Sequence, residues 1–169
     1  DRVVVASGTA CADLLASVGV SLPMLYRPAL VLTTLKADFD LPGMLITDQF
    51  ELGQLPDGRL LMPTAAGHQG DQSESVPEPP NITASKALER LKTVINAPDL
   101  EWESVMLAAR PMPGDEAPVL GAVGPTGLHV AVMHSGATLG VLAGQMTASE
   151  VLGHRVSDLT RYRPERFAS

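Results

Sequence analysis

The chain carries one cysteine, Cys11, in 169 residues. That excludes an internal disulfide framework and agrees with a reducing compartment. Aromatic residues make up only 4%, so any core has to be packed from Leu, Val, Ala and Met. Positive charge is scarce as well. The net charge of −7 leaves nothing to neutralise phosphates, which sets nucleic acid aside as a partner. No apolar run is long enough to span a bilayer, and no signal-peptide pattern opens the chain. The expectation from these absences is a soluble, cytoplasmic protein with no membrane partner.

Hydrophobic residues at 45% and charged residues at 18% give a globular composition. The chain opens on Asp1-Arg2 and enters the apolar run Val3 to Ala6 at once, as a segment from the middle of a larger fold would. Such a continuous β-branched run is the pattern of a parallel strand covered on both faces. Ser7-Gly8-Thr9 breaks it, and Ala10 to Ser17 reads as a short helix.

Leu25 to Leu35 reads as a strand, and Asp38 to Gly43 as a turn. Leu45 to Phe50 and Arg59 to Met62 flank Pro56-Asp57-Gly58, which predicts a hairpin or meander. Gly67 to Pro80 is polar and proline-bearing, an exposed loop. Ala84, Ala87, Leu88, Leu91, Val94 and Ile95 recur at helical spacing, with Thr83 or Ser85 near the start and Pro98 beyond the end. Trp102 to Ala108 alternates as a strand that Arg110 to Asp115 ends. Leu128 to Met133 is an apolar strand, and Ala137 to Leu152 a helix closed by Gly153. A mixed α/β arrangement follows, with the two ends of the chain belonging together.

Three segments carry chemistry. Val3 to Gly8 is a strand ending in small residues, which lets backbone approach a ligand at the carboxyl end of a sheet, although a buried strand and turn look the same. Arg110-Pro111 can hold a carboxylate through a planar fork, or can simply pair with Asp115 or Glu116. His134 to Gly140 joins a strand to a helix, whose N-terminal N–H groups suit negative charge, or whose glycines serve packing. Elsewhere the signals are bland. His68, His129, His134 and His154 lack metal-ligand spacing, and His129 alternates within its strand as a structural residue. Asn81-Ile82-Thr83 is a sequon of the kind that arises by chance. Cys11 reads as a small core residue, and Glu101 and Glu103 as the solvated face of a strand.

In this order and spacing, the three segments and the tail Tyr162-Arg163-Pro164-Glu165-Arg166-Phe167 resemble the D-amino-acid oxidase and glycine oxidase superfamily over essentially the whole chain. The resemblance implies an α/β fold with a mostly antiparallel substrate-binding sheet over 20–126. The closing strand–helix elements of a Rossmann-like FAD-binding domain would then fall in 1–19 and 127–169. It implies FAD as cofactor, with Ala6, Ser7 and Gly8 near its diphosphate and ribose. Ser135, Gly136, Ala137, Thr138, Leu139 and Gly140 would lie against its ring. Arg110 and His134 become the substrate-binding set for a small amino-acid-like molecule. No catalytic side chain is expected, because hydride loss from a neutral amine needs no protein base.

Two departures stand out. The G-x-G-x-x-G loop that lets backbone approach a diphosphate is absent, and Met133-His134-Ser135 stands where many relatives have Gly-His-Gly. The missing loop implies an N-terminal FAD-binding portion, a companion subunit or self-association. It also motivates a rival reading, a non-catalytic chain that binds a small carboxylate or a protein partner.

Overall fold

In chain order the elements are β1 (Val3–Val5), α1 (Cys11–Ala16), β2 (Met24–Lys36), β3 (Leu45–Ile46), β4 (Glu51–Gln54), β5 (Arg59–Thr64), α2 (Pro80–Ile95), β6 (Trp102–Pro113), β7 (Val119–Ala122), β8 (Leu128–Val132) and α3 (Gly136–Val151). Short 3-10 segments cover Gly8–Ala10, Ser157–Tyr162 and Pro164–Phe167. The computed structural model of the chain describes residues 1–47, 50–64, 74–76 and 78–168, so His68 and most of the expected 67–80 loop lie outside the described residues. The chain divides into two compact units, Asp1–Tyr26 with Arg110–Ser169, and Arg27–Ala109.

The first unit is built on a three-stranded sheet of order β1-β8-β7. β1 runs parallel to β8, with Val3 opposite Leu128 and Val5 opposite Val130, and β7 is antiparallel to β8. Successive side chains alternate between the faces. Val130 and Val132 pack with Cys11 and Leu15 of α1 on one side, and Ala131 packs with Ala143 and Met146 of α3 on the other. One expectation fails here. β1 is not covered on both faces: Val3 and Val4 are 57% and 42% exposed, and among the described residues β1 pairs with β8 alone, at the edge of the sheet.

The second unit holds the core of a five-stranded sheet of order β3-β4-β5-β2-β6. α2 lays Ala84, Ala87, Leu88 and Leu91 against Leu32, Leu52, Leu60 and Met62. These strand residues fall at alternate positions, the pattern of a sheet packed on one face. Where the β2–β5 register shifts beyond Thr33, the buried Thr34 hydroxyl accepts the Leu60 N–H at 2.9 Å and donates to the Leu35 carbonyl. A side chain thus satisfies backbone that the ladder leaves out. Gln54 donates to the Phe39 and Gly58 carbonyls and accepts the Leu41 N–H, tying the 38–43 turn to the hairpin tip.

Three boundaries move. The strand before Pro56-Asp57-Gly58 is Glu51–Gln54 rather than 45–50, because Thr47 and Phe50 exchange backbone and hydroxyl hydrogen bonds that split the run. α2 begins at Pro80 rather than near Thr83 or Ser85, since a proline is suited to the first helical position. Thr83 is buried inside the helix, so the sequon lies in a packed element. β6 continues to Pro113, which puts Arg110 within the strand instead of at its end.

Candidate functional site

Parallel pairing brings the carboxyl ends of β1 and β8 to one edge of the first unit's sheet, where ligands of open α/β sheets bind. From β1 the chain passes into Ala6, Ser7 and Gly8. From β8 it passes through Met133 and His134 to Ser135 and α3. Ala6 and Ser7 are exposed, and Ser7 donates to the buried Cys11 thiol at 3.5 Å. Gly8 takes φ +61°, and a Cβ built on it would stand 3.9 Å from Pro111 Cβ. The left-handed backbone explains why glycine occupies the turn.

Pro111, and Arg110 with it, thus lies close to the turn that follows β1. His134 is the fourth participant. Burial, and then the positive charge of Arg110, hold its pKa below the ordinary value of 6.5, so it stays neutral at neutral pH. Of the two carboxylates that the sequence offers Arg110, Asp115 and Glu116, Asp115 is gripped by Arg166. Arg166 Nε and Nη2 lie 2.6 and 2.9 Å from the Asp115 carboxylate. The hydrogen bonds from Arg166 hold the Asp115 carboxyl below its usual range.

Ser135 caps the start of α3, and its backbone carbonyl accepts the Thr138 and Leu139 N–H groups at 3.1 and 2.9 Å. The N–H groups of Gly136 and Ala137 precede these first helical bonds and point out at the positive end of the helix dipole. From Ser135 to Leu142 the helix surface is exposed, and Cβ atoms added at Gly136, Gly140 or Gly144 would meet nothing within 4 Å. Free donors on an exposed, glycine-lined start of a helix fit the electron-rich ring end of a flavin. The G-x-G-x-x-G pattern that would cradle a diphosphate is absent from the sequence. The residues present therefore fit one end of FAD.

Sequence reading selected Gly8, Arg110, His134 and Ser135 to Gly140, and all of them belong to the first unit. It missed the proximity of Pro111 to Gly8, since nothing in local patterning links positions that far apart. It also missed the fixing of the far end of α3. Arg163 Nη1 and Nη2 donate to Glu150 at 2.9 and 2.7 Å, Glu150 accepts the Val156 N–H at 2.7 Å, and Arg163 with Pro164 packs over Gly121 of β7. The signal was available in the tail motif, whose arginine needed a carboxylate. Among the described residues no group of His, Cys, Asp or Glu could hold a metal ion, and no helix is long and apolar enough to cross a membrane.

Solved structures share this fold. Glycine oxidase from Geobacillus kaustophilus is 25% identical with a TM-score of 0.74, over 98% of this chain and 45% of that one. The L-amino acid deaminase of Proteus vulgaris, with its specific insertion deleted, is 20% identical with a TM-score of 0.81, over 98% and 43%. Iminodiacetate oxidase from Chelativorans sp. BNC1 is 24% identical with a TM-score of 0.72, over 97% and 46%. The chain thus spans less than half the length of these relatives. No curated protein matches it. The family model of the FAD dependent oxidoreductases, DAO, matches residues 1–150, and the chain belongs to that family.

Proposed function

We propose that this chain is the substrate-binding and ring-facing portion of an FAD-dependent oxidase or dehydrogenase that converts an amino acid or related amine to its imine. The carrying observation is the convergence of Gly8, Arg110-Pro111, His134 and the start of α3 at the carboxyl ends of two parallel strands. In this reading residues 1–19 and 127–169 serve the FAD-binding domain and 20–126 the substrate-binding domain.

Arg110 holds the substrate carboxylate with its planar fork, which fixes the direction of the Cα–H bond. His134, kept neutral beside it, adds a polar contact without a second positive charge. Ser135 to Gly140 offer backbone N–H groups to the ring end of the cofactor, and Ala6 to Gly8 let its diphosphate and ribose approach. FAD, when bound, supplies the hydride acceptor. The names of the similar structures, glycine oxidase, L-amino acid deaminase and iminodiacetate oxidase, support an amine that carries a carboxylate.

The cofactor's diphosphate needs a glycine loop that this sequence lacks, so a companion polypeptide or N-terminal portion supplies it. The open edge of β1 supports that reading. Val3, Val4, Leu14 and Val18 border an open apolar groove of about 710 Å³ there, and an exposed apolar strand edge invites another strand. The test is to mix the chain with a polypeptide carrying G-x-G-x-x-G and FAD, and to follow flavin absorbance through gel filtration. Flavin co-eluting with both chains is expected. Flavin that never stays with this chain favours the second reading, a non-catalytic chain that binds small acids, whose motivation is the same missing loop.

A further inference from the structure

Three side-chain atoms of the first unit, His129 Nδ1, Thr147 Oγ1 and Arg163 Nε, are buried without a hydrogen-bond partner among the described residues. Strand and helix geometry carry them to one region. His129 lies on the face of β8 that carries Ala131, and Ala131 packs with Ala143 and Met146 of α3. α3 turns back along the sheet after β8, so two residues earlier on the strand corresponds to about one turn later on the helix. That turn holds Thr147 and Glu150. Hydrogen bonds from Arg163 hold the Glu150 carboxyl below its ordinary value, with a smaller pull from His129, so His129, Glu150 and Arg163 are neighbours. His129 and Thr147 are 7% and 5% exposed.

Buried polar atoms in native proteins are almost all satisfied, and those without a protein partner characteristically bind internal water. The three atoms also make different demands. Arg163 Nε can only donate, Thr147 can donate or accept, and His129 Nδ1 does one or the other according to its tautomer. Water, which both donates and accepts in several directions, meets all of them. Thr147 could have turned its hydroxyl to a carbonyl one turn back, as helical threonines often do, and it does not.

We propose an internal hydration site of one or two water molecules between α3 and the β7–β8 face, bridging His129 Nδ1, Thr147 Oγ1 and Arg163 Nε beside the Glu150–Arg163 pair. Water there ties the foot of α3 to the sheet, the same helix whose other end presents Ser135 to Gly140. The site depends only on packing within the first unit and stands whether or not the chain acts on amines.

The sign of one substitution tests it. If the Thr147 hydroxyl simply lacks a partner, Thr147→Val removes a penalty and raises the melting temperature. If water bridges it, Thr147→Val strands the water's other partners and lowers the melting temperature by about 2–8 °C, while Thr147→Ser keeps the wild-type value. Water–protein NOE spectra of the full chain should show a long-lived water at the His129 ring protons in wild type and Thr147→Ser. That signal should be lost in any folded Thr147→Val. An unchanged or raised melting temperature in Thr147→Val, or no bound-water signal in the wild type, overturns the proposal. Should Thr147→Val not fold, the wild-type and Thr147→Ser spectra decide alone.

Discussion

Arg163 grips Glu150 through both terminal nitrogens, at 2.9 and 2.7 Å, and the pair joins the end of α3 to the segment that closes the chain. Both side chains are mostly out of solvent, at 17% and 9% exposure. The same guanidinium donates to the Val156 carbonyl while Glu150 accepts the Val156 N–H, so the short loop between helix and tail is held from both sides. Removing one partner of such a pair leaves the other desolvated and uncompensated. Arg163→Ala should therefore lower stability by about 2–4 kcal/mol, and Arg163→Lys by less, since charge survives and only the fork is lost. Urea unfolding of the full chain measures both; equal, negligible losses would show that the pair contributes nothing.

The same pair sets an acid limit. Hydrogen bonds from Arg163 hold the Glu150 carboxyl below its ordinary 4.5, and those from Arg166 hold Asp115 below 3.8. The unfolded chain takes up these protons first, so the stabilisation is complete above the ordinary values and is lost as pH falls through the folded ones. Stability followed from pH 6 downward should decline through this range, and Arg163→Ala should flatten the Glu150 part of the decline. An equally steep decline in the variant would assign it to other groups.

His134 gives a second, separate window. Its pKa is depressed by burial and by Arg110, so the unfolded state again binds the proton first. The contribution of His134 is present above 6.5 and fades as pH falls below it. In an NMR titration the His134 ring should titrate below 6.5 in the wild type and move upward in Arg110→Gln. No movement would separate the two residues.

Arg110→Lys tests the substrate reading in the assembled flavoprotein. Lysine keeps the charge and loses the paired geometry, so capture of an amino-acid carboxylate should weaken about 10- to 100-fold while flavin content stays the same. Unchanged substrate affinity would return Arg110 to a structural role. By itself, this chain should retain little FAD, because only the ring end finds donors; tight binding of FAD by the isolated monomer would refute the need for a companion segment.

Gly127 is the sharpest test of the β1–β8 junction. Its φ is +91°, and a Cβ there would stand 2.6 Å from the Asp1 carbonyl oxygen, next to the bond from Val3 N–H to the Gly127 carbonyl. Gly153 has a similar φ of +95° with nothing within 4 Å. Alanine at both positions meets the same backbone strain, and only at 127 does it also collide with backbone. Gly127→Ala should therefore be the more destabilising of the two in thermal melts, and the reverse order would mean that β1 yields freely.

Elements whose pattern is local are legible in the residues alone. The 3.6-residue spacing from Ala84 to Ile95 produced α2, and the runs at Val3 and Leu128 produced strands that share one sheet. Motif order makes the family and fold legible as well. What depends on partners distant in the chain became visible in the folded arrangement: that Val3 and Val4 lie on an edge, that Asp115 belongs to Arg166, and that Pro111 lies near Gly8. The reason is physical. Periodicity reports which face of an element is apolar, whereas the pairing of a charge or the covering of a strand is set by whichever residue the fold carries to it.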